Sequence, residues 1–345
     1  MLKIGVATTM DEKAPSYHLR FKSMLNILRR EGRAGHYFVV RKTFFGRRTV
    51  SFEQGTDCLL VARVRDLHLL KALFDCAKSR SIPVIYETDD LILCDRRSDA
   101  PAAHAEEIAV YLKQAACIIA STPRLADELK SLNRTIVEFP NLLDPEIWHI
   151  PEHLSLRKNG PLRICCIGTG LMAENLALIV PAMEQCGKRY GRDVIFALWG
   201  NARYLEGRVR KLKNVTIADK KMPYTAFARY LQHSAYAAGV VPLSDLRFNR
   251  AKSNIKYLEY AVSGIPSIFS RVEAYAGLSD GETCILSEND PDAWREEISR
   301  MIEDRQLRSA IAEKACQDVR LRFVLNDEWS GKYLSILQEA LVRNR

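Results

Sequence analysis

The sequence predicts an α/β protein with two domains, each built on a parallel sheet with flanking helices. Short apolar strands alternate with amphipathic helices along the whole chain, and this alternation is typical of parallel sheets. Glycine, proline or polar residues follow most of the strands, as expected for turns that join strands to helices. A length of 345 residues suits two domains of ordinary size. We place the domains at residues 1–150 and 151–325, with a final helical segment at 326–345.

Composition indicates a folded protein without a membrane span. Hydrophobic residues make up 47% and charged residues 27% of the chain, which excludes a disordered protein. No apolar run approaches the roughly 18 residues that a spanning helix needs, and the N-terminus enters a strand without a signal-peptide pattern. The nine cysteines form no CxxC pair, which favours reduced, buried thiols over a zinc site. We therefore expect a cytoplasmic protein with at most peripheral membrane contact.

In the first domain, continuous apolar runs predict strands, and apolar residues at helical spacing predict helices. The predicted strands are Leu2–Thr8, Tyr37–Thr43, Asp57–Val64, Pro83–Thr88, Cys117–Ala120 and Thr135–Phe139. The predicted helices are Tyr17–Arg30, Leu67–Ser79, Ala103–Gln114 and Leu125–Lys130.

In the second half, the polar stretch His149–Gly160 reads as a linker, and the same patterns then resume. The predicted strands are Pro161–Ile167, Val194–Leu198, Val215–Ala218, Ala237–Pro242 and a short run around Ile268 and Phe269. The predicted helices are Ala173–Tyr190, Met222–Gln232, one from Ile255 to Gly264, Trp294–Glu303, Gln306–Val319 and Trp329–Leu341.

The segment Asp245–Ser270 carries the clearest chemical signal. A polar loop leads into a helix that Gly264 ends, and Pro266 opens the next strand. Lys256 and Glu259 are three residues apart, so they share one face of this helix. A lysine near a helix start suits a diphosphate, and a carboxylate can accept two hydrogen bonds from a ribose diol. The spacing alone favours an ordinary surface helix with an ion pair.

The sequence of this segment resembles the donor-site signature of group-1 retaining glycosyltransferases with the GT-B fold. The typical pattern KxxEYxAxGxPVI is matched by Lys256, Glu259, Tyr260, Ala261, Gly264, Pro266 and Ile268. The resemblance implies two Rossmann-like domains that face each other across a cleft. It also implies a C-terminal helix that crosses back onto the first domain, anchored by Trp329, Tyr333 and Ile336.

What the resemblance implies about function is a hexosyltransferase-like enzyme. It would move a sugar from a nucleoside-diphosphate sugar to a hydroxyl of a sugar, lipid-linked or glycan acceptor, with retention and without a metal or further cofactor. Polysaccharide, O-antigen or glycoconjugate assembly is the expected setting. Many family members have a second glutamate where this chain has Ala251. Asn249, Arg250 or loop amides are expected to replace its contact to the donor sugar.

The expected donor-binding residues come from two Gly-containing turns and from the signature segment. A Gly turn between strand and helix lets backbone N–H groups approach a phosphate. The predicted set is Gly168, Thr169, Gly170, Gly200, Asn249, Arg250, Lys252, Ser253, Asn254, Ile255, Lys256 and Glu259.

The expected acceptor-side residues follow two strands of the first domain, where ligands of α/β folds collect. Tyr17, His18 and Arg20 come after the first strand and are expected to face the cleft. Asp89 and Asp90 end a later strand and can orient an acceptor hydroxyl or simply cap the turn. His18 can equally be a satisfied residue at a helix start.

A net charge of +9 indicates an anionic partner, or only a solvated surface. A basic cluster with interleaved aromatic residues is made of Arg29, Arg30, Arg33, Arg41, Lys42, Phe44, Phe45, Arg47 and Arg48. Such a cluster suits an anionic membrane surface and, less well, nucleic acid. Two further alternatives stay open: a nucleic-acid-binding or DNA-base glycosyltransferase, and a catalytically silent GT-B partner subunit.

Overall fold

The computed structural model of the chain describes residues 1–42, 48–154, 161–168, 173–200, 207–218 and 222–343, without the side chains of residues 41, 42, 173, 208 and 343. Two compact units divide the chain. Unit 1 comprises Met1–Asp144, Leu246–Ser253 and Leu325–Arg345. Unit 2 comprises Pro145–Asp245 and Asn254–Val324.

Unit 1 is an α/β unit with one larger sheet and one small ribbon. Its strands are β1 (Leu2–Thr8), β2 (Ala34–Phe38), β3 (Val40–Lys42), β4 (Arg48–Val50), β5 (Cys58–Ala62), β6 (Val84–Thr88), β7 (Cys117–Ala120) and β8 (Ile136–Glu138). Its helices are α1 (Pro15–Tyr17), α2 (Ser23–Arg30), α3 (Leu67–Ser79), α4 (Ala105–Gln114), α5 (Pro123–Leu129), α10 (Arg247–Arg250) and α14 (Asp327–Arg343).

The larger sheet of unit 1 has six parallel strands in the order β2-β1-β5-β6-β7-β8. The continuous apolar runs that predict strands are buried on both faces, and every residue of Cys58–Ala62 is buried. The chain leaves β1 for β2 on one side and later returns to β5 on the other side. The carboxyl ends of β1 and β5 therefore flank the topological switch point, where open α/β sheets bind ligands.

Unit 2 repeats this architecture. Its strands are β9 (Leu162–Gly168), β10 (Val194–Gly200), β11 (Val215–Ala218), β12 (Tyr236–Val241), β13 (Ser267–Ser270) and β14 (Ile285–Ser287). Its helices are α6 (Ala173–Ala177), α7 (Val180–Tyr190), α8 (Gly207–Arg210), α9 (Tyr224–His233), α11 (Ile255–Ala261), α12 (Pro291–Glu303) and α13 (Arg305–Arg322). The six strands are parallel in the order β11-β10-β9-β12-β13-β14. The switch point of unit 2 thus lies between β9 and β12. The two parallel sheets confirm the predicted α/β class.

Several predicted elements differ in detail from the observed ones. The predicted helix Tyr17–Arg30 contains a π-helical turn at His18–Lys22 before α2 begins. The predicted helix Ala173–Tyr190 is two helices, because Pro181 starts a new helix and cannot donate to a preceding turn. The predicted loop before Lys252 contains the short helix α10.

A buried polar network joins α14 to the sheet of unit 1. The Arg20 guanidinium lies 3.1 Å from a carboxylate oxygen of Glu87 on β6, and both side chains are fully buried. Tyr333 of α14 donates to the other oxygen of Glu87 at 3.0 Å. The Tyr333 ring also packs edge-on against Phe139. Burial raises the pKa of Glu87 to about 7, although the Arg20 charge and the Tyr333 hydroxyl both oppose this rise.

Candidate functional site

Lys256 and Glu259 lie on α11, and their side chains form an ion pair with 2.6 Å between Nζ and Oε2. The Glu259 side chain is fully buried, whereas that of Lys256 is 22% exposed. The Lys256 ammonium also lies over the Phe227 ring of α9. Oε1 of Glu259 is buried without a hydrogen-bond partner among the described residues. Leaving a buried acceptor unsatisfied costs free energy, so this oxygen is suited to accept from a hydroxyl of a ligand.

The packing of α11 explains why Glu259 is held there. The Tyr260 hydroxyl accepts a hydrogen bond from the N–H of Ile167 on β9 at 3.2 Å. The Tyr260 ring lies against Gly239 of β12, where a Cβ atom would come within 2.6 Å of ring carbon Cε2. Only glycine permits this approach. Helix α11 is thereby packed against the two strands that flank the switch point.

The loop after β12 is fixed by side chains of unit 2. The N–H of Leu243 donates to Oγ of Ser270 at 2.7 Å, and Nδ2 of Asn289 donates to the Leu243 carbonyl at 2.9 Å. Ser270 in turn donates to Oδ1 of Asn289. The N–H of Ser244 donates to Oδ1 of Asn175 at 2.8 Å. The loop at the switch point is therefore preorganised.

Two of the predicted glycines lie side by side at the carboxyl ends of neighbouring strands in unit 2. Gly168 ends β9 and Gly200 ends β10, and the two residues are paired in register. Gly200 has a φ of +155°, which side-chain-bearing residues rarely adopt. The predicted residues Thr169 and Gly170 lie outside the described residues.

The predicted donor segment is divided between the two units. Asn254 and α11 belong to unit 2, whereas residues 246–253 belong to unit 1. The Asn254 carbonyl accepts from the N–H of Tyr257 at 2.8 Å, so Asn254 precedes the first turn of α11, which Ile255 begins. Sequence spacing gives no sign of this division, because the contacts that cause it join distant parts of the chain.

Those contacts fix residues 246–253 to unit 1. Both Nε and Nη2 of Arg247 donate to Oε2 of Glu128, at 2.9 and 2.7 Å. Nδ2 of Asn141 donates to Oγ of Ser253 at 2.8 Å.

Three more residues of this segment have fixed places. Ala251 is fully buried, and its carbonyl accepts from the Thr122 hydroxyl at 3.0 Å. Asn249 is buried and Arg250 is partly exposed. Both side chains belong to the part of the segment that is packed in unit 1.

Asp89 and Asp90 follow β6 and share one guanidinium. Arg63, which follows β5, lies 2.9 Å from Oδ1 of Asp89 and 2.5 Å from Oδ2 of Asp90. Ser16, in α1 after β1, accepts from Arg63 and donates to Asp89 at 2.6 Å. Burial and the Asp89 charge raise the pKa of Asp90, and Arg63 opposes this rise. These groups meet at the switch point of unit 1.

Sequence reasoning missed Arg63 and Ser16. The position of Arg63 directly after the buried strand β5 could have identified it, because ligands bind at the carboxyl ends of such strands. Arg63 has a φ of +51°, an uncommon value for a residue other than glycine, and such strain concentrates at functional sites.

The other predicted acceptor-side residues are mostly internal. Tyr17 is 4% exposed and stacks with Phe38, and Arg20 is 1% exposed within the network described above. Both side chains are buried, and their expected role on the acceptor side stays a prediction. Nε2 of His18 donates to the Glu12 carbonyl at 3.0 Å, and burial lowers the pKa of His18. His18 therefore has the arrangement expected of a satisfied residue at a helix start.

Much of the basic cluster lies outside the residues that the structure describes. Phe44, Phe45 and Arg47 lie outside the described residues, as do the side chains of Arg41 and Lys42. In the portion of the chain that the structure covers, no helix combines the length and apolarity of a membrane span. In that same portion, no three His, Cys, Asp or Glu side chains are grouped as metal ligands.

A family model described as glycosyl transferase-like matches residues 180–329. A search of curated protein sequences finds no match to this chain.

Solved structures share the fold at low identity. Sucrose-phosphate synthase from Thermosynechococcus elongatus is 12% identical, with a TM-score of 0.73 over 99% of this chain and 100% of that one. HepE from Anabaena, solved with UDP and glucose, is 12% identical, with a TM-score of 0.65 over 98% of this chain and 100% of that one. TarM from S. aureus, solved with UDP among its ligands, is 12% identical, with a TM-score of 0.63 over 83% of this chain and 56% of that one. This chain thus spans the full length of the first two proteins and about half of the third.

The resemblance of the segment around Lys256 and Glu259 agrees with the family match, which includes both residues. The two parallel-sheet units agree with the architecture of the solved structures. The chain therefore has the GT-B fold of these solved structures, and residues 180–329 are similar to a glycosyl transferase-like domain.

Proposed function

We propose that the protein transfers a sugar from a nucleoside-diphosphate sugar to a hydroxyl group, with retention and without a metal ion, in the assembly of a polysaccharide or other glycoconjugate. The observation that carries this proposal is the buried Glu259 carboxylate with its unsatisfied Oε1 beside the Lys256 ammonium. HepE, whose structure contains UDP and glucose, supports a uridine nucleotide as the first donor to test.

Lys256 and Glu259 have separate roles in donor binding. Oε1 of Glu259 accepts hydrogen bonds from the ribose diol, which satisfies the carboxylate. Lys256 turns from Glu259 to the diphosphate, with backbone amides near Gly168 and Gly200 as further donors. The diphosphate gains charge as the glycosyl bond breaks, so a fixed cation stabilises the transition state more than the ground state.

The acceptor hydroxyl is held in unit 1 by the carboxylates after β6. Asp89 and Asp90 are each engaged by Arg63 but retain acceptor capacity, because an ionised carboxylate can accept about four hydrogen bonds. The leaving phosphate takes the proton of that hydroxyl, which is the retaining mechanism expected of the family. The carboxylates then orient the nucleophile and need not act as bases.

The test begins with a thermal-shift screen of uridine, guanosine and thymidine diphosphates. The nucleotide that binds identifies the nucleoside of the donor. Its release from sugar donors that carry this nucleotide, measured in water, reports turnover. Lys256→Ala should lose about two orders of magnitude in rate, since removing one such donor costs about 3 kcal/mol. Lys213, an exposed lysine of unit 2, gives the matched control Lys213→Ala.

Three outcomes separate the possibilities. Loss of turnover in the Lys256 variant alone, with its melting temperature unchanged, supports the assignment. Full turnover in that variant contradicts it. Nucleotide binding by the wild type without any turnover supports the silent partner subunit instead.

A further inference from the structure

Lys252 is a cation that lacks an opposite charge in contact with it. Lys252 is only partly exposed. Within the described part of the chain, its ammonium group has no hydrogen-bond or ion-pair partner. The ammonium lies 5.3 Å from the centre of the Phe248 ring. Charged groups in such surroundings are normally paired. A partly exposed ammonium without an ionic partner is available to bind an anion.

A second cation lies on the same aromatic ring. The Arg96 guanidinium is 5.4 Å from the centre of the Phe248 ring, which is itself buried. Arg96 reaches Asp90 only at 3.4 Å, and its side chain is 53% exposed. Lys252 and Arg96 thus present two donors on one ring, Lys252 partly exposed and Arg96 more exposed.

The nearby carboxylates do not neutralise these cations. Asp89 and Asp90 are engaged by Arg63, so the local group holds three cations and two carboxylates. Burial lowers the pKa of Lys252, and the Asp90 charge only partly offsets this. An anionic ligand would restore the balance of charge.

We propose that Lys252 and Arg96 form a subsite for an anionic group, a phosphate or a carboxylate, carried by the acceptor. The inference rests on the proposed function, because it takes the carboxylates after β6 to be the acceptor site. It assigns Lys252 to the acceptor, whereas the sequence resemblance assigns it to the donor diphosphate together with Lys256. The two assignments differ in what the loss of Lys252 does to nucleotide binding.

The test measures anion binding with the nucleotide site already filled. Wild-type protein is saturated with the nucleoside diphosphate chosen by the screen, and its melting temperature is then followed against inorganic phosphate, glucose 6-phosphate, glucuronate and glucose. A phosphate group and a carboxylate are distinguished by which anion stabilises, and glucose is the neutral comparison. Lys252→Met keeps the length of the side chain, and exposed Lys113 of α4 gives the matched control Lys113→Met.

We expect one or more of the anions, but not glucose, to raise the melting temperature of the wild type and of Lys113→Met. Lys252→Met should bind that anion about tenfold more weakly or worse, while its nucleotide affinity stays within about twofold. Arg96→Met should show the same direction with a smaller loss, because Arg96 is already partly paired.

Three results would overturn the assignment of Lys252 to the acceptor. No stabilisation by any anion, or equal stabilisation of the wild type and Lys252→Met, would overturn the proposal. Loss of nucleotide affinity in Lys252→Met as large as in Lys256→Ala would also overturn it and place Lys252 at the donor. Nucleotide binding by the wild type tests the proposed function in the same experiment, and phosphate binding without nucleotide can be measured if that function fails.

Discussion

The Tyr333 hydroxyl should stabilise unit 1 by an amount that depends on pH. Tyr333→Phe removes the hydrogen bond to Glu87 and keeps the ring contact with Phe139. Hydrogen bonds to charged groups contribute about 1.5–3 kcal/mol and those between neutral groups about 1 kcal/mol. We therefore expect a loss of about 2 kcal/mol where Glu87 is ionised and about 1 kcal/mol where it is protonated.

The direction of the pH effect follows from the raised pKa of Glu87, which is about 7 in the folded protein against an ordinary 4.5. Glu87 holds its proton more tightly when folded, so its contribution to stability is complete below about 4.5 and is lost as pH rises through about 7. The Tyr333 hydroxyl stabilises the ionised form. Its removal therefore costs more above pH 7 than below it.

Scanning calorimetry at pH 5.5 and pH 8 measures this difference. The melting temperature should fall by about 2–4 °C at the lower pH and about 4–8 °C at the higher. Tyr111→Phe, at a partly exposed tyrosine of the same unit, serves as the control. Equal losses at the two pH values, or no loss in Tyr333→Phe, would refute the account of Glu87.

Two further predictions concern Gly239 in β12 and Arg63 after β5. Gly239→Ala places a methyl group 2.6 Å from the Tyr260 ring, so it should destabilise unit 2 by about 1–3 kcal/mol in calorimetry. Gly277→Ala, where no atom lies within 4 Å of the added carbon, should have little effect. Arg63→Gln removes a charge that opposes the raised pKa of Asp90, so the acidic limb of the pH–rate profile should move to higher pH, with about a tenfold loss of kcat/KM at pH 6. An unmoved limb would show that Asp90 need not be ionised during turnover.

Local sequence patterns predicted the architecture and part of the candidate site. Buried strands such as Cys58–Ala62 are readable because both faces are apolar. The three-residue spacing of Lys256 and Glu259 predicted a shared helix face, and their side chains do meet. These features depend on neighbours within one element, which the sequence displays directly.

Features that depend on distant contacts were not predictable in this way. Arg20 was expected to face the cleft because it follows the first strand. Glu87 and Asn141, far along the chain, pair with it inside the unit. The assignment of residues 246–253 to unit 1 depends on Arg247 and Glu128, which are 119 residues apart. Long-range pairs of this kind leave no periodic signal.

The central claim is that Glu259 accepts the ribose diol of a nucleoside diphosphate. Isothermal titration of the wild type and of Glu259→Leu with UDP and with 2′,3′-dideoxy-UDP tests it most directly, because only UDP has the diol. The wild type should bind UDP at least about tenfold more tightly than the dideoxy analogue, since two hydrogen bonds to a buried carboxylate are lost, and the variant should bind both equally. An undiminished preference for UDP in Glu259→Leu would contradict the account.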